Sequence, residues 1–433
     1  MYLLQLKPQN ESIDSTYPTM YKRKVNNKWS FREANTKEFT HCYHTYPAMM
    51  IPQVARELIS EFKPHGKLNL LFDPYMGSGT SLVEASILGI NSIGTDLNPL
   101  ARLMSKVKTT HYDEKTLSYL LTVLQAEIFC YKEENVRQQN FDKISNYSYW
   151  YSKDNLLKLS YLSQIIEEHV DSEFVDFFKI ALSEVVREVS FTRNSEFKRF
   201  RMPIDKIKLF NPNTFKLFEE KASRNLKGLK EYNSIPHRPC TIIADFNSTI
   251  DIPSDILPDN SVDIVVTSPP YGDSRTTVAY GQFSRWANEW FNFENAQNLD
   301  SILMGGKKCN QATFQSNSIA EELNCIKALD EKRYFEVISF LNDYHESIKN
   351  VAKTIRNGGT ACYVVGNRNV KGTQISLDFF TAEMFEKYGF KHKITLVREI
   401  PNKRMPSKTS PTNKTGKKVS TMNNEYIVIL DKI

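Results

Sequence analysis

Residues 263–271 read DIVVTSPPY, and the rest of the chain has to be arranged around them. Ile264, Val265 and Val266 form a short β-branched apolar run between polar residues, the pattern of a buried strand. Pro269 and Pro270 then end sheet pairing, because neither has an N–H to donate. The chain is driven into a rigid loop at the carboxyl end of the strand, the edge at which open α/β sheets hold ligands. That loop presents the Ser268 hydroxyl, a Pro269 carbonyl of fixed direction and the Tyr271 ring. Two acceptors beside a stacking face suit a flat ring bearing an exocyclic amine. Taken alone, the stretch is equally a proline-rich turn after a strand, so its meaning depends on what else the chain supplies.

The second constraint lies at residues 68–88. An apolar strand at 68–72 leads into Asp73-Pro74-Tyr75-Met76-Gly77-Ser78-Gly79-Thr80, then into an amphipathic helix at 82–88 stopped by Gly89. Strand, glycine turn and helix open a nucleotide-binding α/β unit, in which glycines admit a ligand close to the backbone. No Gly-Lys-Ser/Thr follows, so the turn is not a phosphate-cradling P-loop. A second strand at 91–95 ends in Asp96, about 20 residues past the glycine turn, where such folds set an acid on ribose hydroxyls. Further strands are predicted at 241–244, 360–366, 393–397 and 425–430. Helices are predicted at 52–62, 97–108, 117–136, 156–168, 174–189, 331–356 and 373–387.

TSPPY, with DPYMGSGT and with TDLNP after the next strand, resembles the amino-methylating DNA methyltransferases, which carry Asp, Asn or Ser, then Pro-Pro, then an aromatic residue. The Ser form is most similar to the cytosine-N4 branch. The resemblance covers residues 40–108 and 240–433. It implies an α/β, Rossmann-like core with a mixed seven-stranded sheet, S-adenosyl-L-methionine as cofactor and double-stranded DNA as partner. It further implies the modification enzyme of a restriction–modification system, with a cognate endonuclease acting separately. The implied catalytic positions are Ser268, Pro269, Pro270 and Tyr271. The implied cofactor positions are Tyr46, Pro47 and Ala48 at the methionine end, then Asp73, Tyr75, Gly77, Gly79, Thr80, Asp96 and Asn98. Asp245, ending the strand at 241–244, would contact the adenine. Transfer is direct, with no metal and no covalent intermediate, and the base must leave the duplex to stack on Tyr271.

Adenine-N6 methylation needs the same geometry and is the nearest rival. RNA or protein-glutamine methylation goes with Asn in place of Ser268 in related enzymes. A catalytically inactive DNA-binding relative is the rival from another class, and the intact Gly77, Gly79, Asp96, Ser268 and Tyr271 argue against it. Pro239-Cys240 matches the nucleophile pair of cytosine-C5 enzymes, but no Glu-Asn-Val follows, so Cys240 reads as a core thiol entering a strand.

The chain divides into an N-terminal arm at 1–39, a first core part at 40–108, an insertion at 109–238 and a second core part at 239–433. The arm is polar, with Lys22-Arg23-Lys24 and a single Trp29, and reads as irregular and solvated. The insertion is helical and reads as the target-recognition region. Within it, FTRNSEFKRFR interleaves Arg193, Lys198, Arg199 and Arg201 with Phe197 and Phe200, charges for phosphates and rings for bases. Arg275, Tyr280, Gln282 and Arg285 follow the catalytic loop and could close over a flipped nucleotide. Residues 301–320, rich in Gly, Lys, Asn and Gln, read as a mobile loop. Residues 401–424 carry Lys403, Arg404, Lys408, Lys414, Lys417 and Lys418 and no acid. So long a basic loop between two strands is hard to justify by stability alone, and reads as phosphate-binding.

A net charge of +6 and a pI near 8.7 permit a polyanionic partner without demanding one. The six cysteines are scattered with no CxxC pair, and His41 and His44 lack a third ligand, so neither a disulfide framework nor a metal site is expected. No apolar run reaches bilayer length and the N-terminus lacks a signal-peptide pattern, so a cytoplasmic location is expected.

Overall fold

The computed structural model describes residues 21–433 apart from 48, 65, 67, 138–140, 194–196, 272–273, 401–407, 410–418 and 421–423, and describes 274–280, 408–409 and 419–420 as backbone. Among the described residues, eight strands form one sheet. In chain order they are β1 (Arg23–Val25), β2 (Leu70–Asp73), β3 (Asn91–Thr95), β4 (Thr241–Ala244), β5 (Val262–Thr267), β6 (Ile355–Val365), β7 (Phe390–Glu399) and β8 (Asn424–Lys432). Across the sheet they run β1-β7-β8-β6-β5-β2-β3-β4. β8 is antiparallel to both neighbours, and the other pairings are parallel.

The chain steps outward from β2 to β3 to β4 and then returns to lay β5 against the other side of β2. This reversal opens a crevice at the carboxyl ends of β2 and β5, where doubly wound sheets bind ligands. β5 is buried at all six positions, as a parallel strand covered on both faces must be.

The helices of eight or more residues are α1 (Pro52–Glu61), α2 (Thr80–Ile87), α3 (Pro99–Thr109), α4 (Glu114–Phe129), α5 (Lys153–His169), α6 (Val175–Glu188), α7 (Thr214–Asn233), α8 (Ser274–Trp290), α9 (Ala320–Leu329), α10 (Glu331–Thr354) and α11 (Leu377–Glu386). Alternate strand residues feed two cores. Phe72, Val265, Ala361 and Tyr363 pack with α9, α10 and α11, whereas Leu71, Ile264, Val266 and Cys362 pack with α1, α2 and Trp29. A third core joins α4, α5, α6 and α7 to α3 and α8, so the inserted helices are packed onto two helices that flank the crevice.

Five expectations change. The sheet has eight strands, not seven, because the arm supplies β1 as an edge strand beside β7. From residue 21 the arm is not a solvated tail: Trp29 is wholly buried, and Arg23 grips Asp378 through two hydrogen bonds of 2.8 and 2.9 Å. Much of 301–320 is irregular, yet it is strapped down rather than loose. Gly305 N–H donates to Asp343, Cys309 N–H to Ser339 and Thr313 N–H to Asn342 on α10, and Glu383 on α11 accepts from Ser316, Asn317 and Ser318. Cys240 is exposed, because it precedes β4, the edge strand of the sheet. Finally, the helix expected from 373 starts at Leu377, after a small hairpin pairing Asn369–Val370 with Thr373–Gln374. No helix among the described residues is long and apolar enough to cross a membrane.

Candidate active site

β2 delivers Asp73 to the crevice. Its Oδ1 accepts from the Tyr75 N–H (3.1 Å) and from the Thr267 hydroxyl (2.5 Å). Thr267 is the last residue of β5, so this bond ties the glycine turn to the TSPPY loop across the point where strand order reverses. β3 delivers Asp96, whose carboxylate accepts from the N–H groups of Gly77 (3.0 Å) and Asn98 (2.8 Å). Both carboxyls are held well above the ordinary carboxylate value by burial. Asp73 is pushed up to about 6 against the pull of the Thr267 and Tyr75 donors. Asp96 is pushed up to about 6 against two backbone N–H groups and Arg102.

The two glycines do different work. Gly77 takes φ +49°, and a Cβ there would come no closer than 3.6 Å to the Tyr46 ring, so it leaves the turn open toward the cleft. Gly79 takes φ +80°, and a Cβ there would lie 2.7 Å from Ser105 Oγ on α3, so it lets α2 and α3 approach. Asn98 caps α3 through its Oδ1, and its Nδ2 donates to Tyr46 Oη (2.9 Å) and Ser284 Oγ (2.6 Å). Asn288 Nδ2 donates to the same Oδ1 (3.1 Å). Ser284 and Asn288 lie on α8, the helix that follows the TSPPY loop, so the two loops are joined a second time.

These residues wall a cleft of about 970 Å³, counted to its open mouth. Of the expected positions, Tyr46, Pro47, Asp73, Tyr75, Gly77 and Thr80 line it, as do Asp96, Asn98, Ser268 and Pro270. Gly79, Asp245, Pro269 and Tyr271 do not line it, and Ala48 lies outside the described residues. Asp245 is turned to Arg102 in an ion pair of 2.9 Å and is largely exposed. The next four residues, Phe246, Asn247, Ser248 and Thr249, line the cleft instead. Met49, Met50, Leu303 and Met304 complete an apolar wall that sequence reasoning missed. Two of them follow the Tyr46-Pro47-Ala48 stretch directly, and that adjacency is the signal that could have found them.

Ser268 Oγ lies 3.0 Å from Tyr271 Oη, and Tyr271 donates to Glu425 Oε1 on β8 (3.2 Å). Glu425 pairs with Arg398 on β7, whose Nε donates to the Trp29 carbonyl (2.9 Å).

The two ends of the basic aromatic stretch pair as a hairpin. Thr192 bridges Arg201, and Arg193 N–H donates to the Phe200 carbonyl (2.8 Å). Arg201 lies 4.0 Å over the Tyr149 ring and Arg199 4.7 Å over Trp286, while Arg193, Phe197 and Phe200 face solvent and Lys198 is half-buried. Trp286 Nε1 donates to Thr192 Oγ1 (3.0 Å), tying the hairpin to α8. Arg285 is engaged inward with Glu289 (2.7 Å). The Arg275 and Lys408 side chains, and all of Lys403 and Arg404, lie outside the described residues. Lys408–Thr409 pairs with Val419–Ser420 through the backbone.

A glycine-turn cleft at the switch point, opening onto an S-P-P-aromatic loop, defines a methyltransferase of amino groups. Residues 4–106 match the DNA methylase family N6_N4_Mtase, so the match begins inside the stretch read above as an arm. The chain is 40% identical over 432 residues to the type II methyltransferase M.MvaI of Kocuria varians, covering 94% of both. It is 20% identical over 437 residues to the type II methyltransferase M.BsoBI of Geobacillus stearothermophilus, covering 84% of this chain and 81% of that one. Among solved structures, the rRNA methyltransferase AviRa of Streptomyces viridochromogenes is matched at 10% identity and a TM-score of 0.33, over 90% of this chain and 88% of that one.

The chain belongs to the amino-methylating N6/N4 DNA methylases, as a type II DNA methyltransferase of the restriction–modification kind that uses S-adenosyl-L-methionine. The cleft fits that cofactor. S-adenosylmethionine is positive at sulfonium and ammonium, and a nearby cation favours the ionised form of carboxyls that burial holds neutral. Among the described residues no ion pair to Asp73 competes for that place.

Proposed function

We propose that the chain methylates the N4 amine of cytosine within a specific duplex sequence, as the modification enzyme paired with a separate endonuclease. The observation that carries this reading is the position of Ser268 in the wall of the cleft that also holds Asp73, Gly77 and Asp96. When bound, S-adenosylmethionine supplies an activated methyl group. Ser268 and the Pro269 carbonyl accept the two amine hydrogens. A cytosine amine is a poor nucleophile because its lone pair is delocalised into the ring, and two fixed acceptors localise it. Positioning and preset dipoles then carry the step. Serine at 268, as in the N4 branch that TSPPY resembles, favours cytosine over adenine.

Other residues take supporting roles in this reading. Tyr271 offers its ring to the extruded base. Asp96 takes the ribose hydroxyls, and Asp73 with Tyr46 and Pro47 takes the methionine end. Phe246 to Thr249 occupy the place at the adenine that Asp245 was expected to fill. The hairpin carrying Arg193, Arg199 and Arg201 reaches DNA phosphates and bases. Its bond to α8 supports a fixed register between those contacts and the catalytic loop.

Incubation with methyl-labelled cofactor and mixed-sequence duplex DNA, followed by nucleoside analysis, is expected to yield N4-methylcytosine. N6-methyladenine as the product would reverse the base assignment. Unlabelled DNA from a preparation that binds cofactor would remove the reading altogether.

A further inference from the structure

We propose that Glu425, outside every motif named above, is a positioning residue for the transfer step: it sets the direction of a hydrogen-bond chain so that Ser268 meets the substrate as a pure acceptor. This rests on the reading of Ser268 as the acceptor of an amine hydrogen.

A serine hydroxyl has one hydrogen and two lone pairs. If the hydrogen pointed into the cleft it would oppose the amine hydrogens, donor against donor. Tyr271 Oη, 3.0 Å from Ser268 Oγ, can take it. A tyrosine hydroxyl is itself both donor and acceptor, so the sense of that bond follows from where its own hydrogen goes. Tyr271 Oη donates to Glu425 Oε1 at 3.2 Å, and an ionised carboxylate only accepts. Tyr271 spends its one hydrogen on Glu425. Its oxygen then accepts the hydrogen of Ser268, and both lone pairs of Ser268 remain for the cleft.

The geometry holds Glu425 to this task. It stands directly opposite Arg398 in the β8–β7 register. Arg398 Nη1 donates to Glu425 Oε2 at 2.5 Å, leaving Oε1 for Tyr271. A charge-assisted bond of this kind is short and strong. Arg398 is itself almost wholly buried and is anchored by the Trp29 carbonyl. The N-terminal segment thus supports the catalytic loop through a chain of four residues: Trp29, Arg398, Glu425 and Tyr271.

Glu425→Gln tests the direction at nearly constant size. The amide oxygen is drawn to Arg398, so the amide N–H₂ faces Tyr271 and donates to it. Tyr271 then donates to Ser268, whose hydrogen is turned into the cleft. The expected result is a kcat lowered roughly tenfold or more, with cofactor affinity by calorimetry within about twofold of wild type. Tyr271→Phe keeps the ring and removes the link, and should lose kcat to a similar extent. The double variant should be no slower than the slower single variant, because both cut one chain. Glu425→Gln with wild-type kcat, or a double variant whose loss is the product of the two single losses, would overturn the inference. So would a loss of kcat that merely follows a loss of melting temperature and cofactor affinity. If Glu425→Gln does not fold, wild-type kcat in Tyr271→Phe overturns it equally. Ser268→Ala separates the two levels. Full activity there removes the acceptor reading itself, whereas an inactive Ser268→Ala beside an active Glu425→Gln removes only the role of Glu425.

Discussion

Asp73 is almost wholly buried and accepts two hydrogen bonds, yet its carboxyl sits at about 6 against an ordinary 3.8. A carboxyl raised in the folded state adds stability that is full below its unfolded value and lost as pH rises through its folded value. At pH 8 the ionised Asp73 therefore opposes folding of the ligand-free protein. Asp73→Asn should stabilise that form at pH 8 by on the order of 1–2 kcal/mol, and the gain should vanish toward pH 4. The same group should make wild-type cofactor affinity fall as pH drops through about 6. Thermal melts and calorimetric titrations across pH 4–8 would show both, and an affinity flat with pH would contradict the assignment. Asp73 and Asp96 were legible in the sequence because backbone geometry fixes an acid at the end of a strand and another after the next strand. Asp245 shows where that logic stops. A strand end can be located from the pattern, but which of the following residues turns toward the crevice depends on a neighbour, here Arg102.

At the scale of elements, short apolar runs closed by a polar residue were the readable strands. β5 and β3 stand out as short runs whose ends carry polar residues, and β3 and β4 fall where the pattern placed them. β1 was not readable: it is the tripeptide Arg23-Lys24-Val25, all exposed, and its pairing is decided by the free edge of β7. The anchoring of 301–320 was hidden for a similar reason, since its polar residues bind side chains of helices far away in sequence. The close approach of α2 and α3 leads to a contrast between the glycines. Gly79→Ala forces a methyl against Ser105 at a left-handed φ, and should destabilise the fold by about 2–3 kcal/mol. Gly77→Ala has room beside Tyr46 and carries mainly the conformational cost, about 1–2 kcal/mol. Its methyl enters the turn beside the cleft and should weaken cofactor binding more than its stability loss explains. Denaturant unfolding with cofactor titration would rank the two, and equal stability of Gly79→Ala and wild type would contradict the packing role.

Across the whole molecule, the inserted helices are part of the machinery of the cleft rather than an appendage. Their core includes α3, which begins at Asn98, and α8, which holds Asn98 through Ser284 and Asn288. The strand pattern of the sequence lapses from 109 to 238 and helices occupy that stretch, but their docking on α8 is a matter of tertiary packing. The sequence also disclosed the TSPPY loop and the glycine turn, while the single bond that joins them, Thr267 to Asp73, needs both strands in place. That junction brings the Ser268 hydroxyl to the cofactor cleft, and on it the proposed chemistry depends. Single-turnover methyl transfer by Ser268→Ala, with cofactor affinity measured on the same preparation, is the most direct test. Affinity within about twofold of wild type and a transfer rate lowered on the order of a hundredfold are expected. Transfer at the wild-type rate would contradict the role given to Ser268.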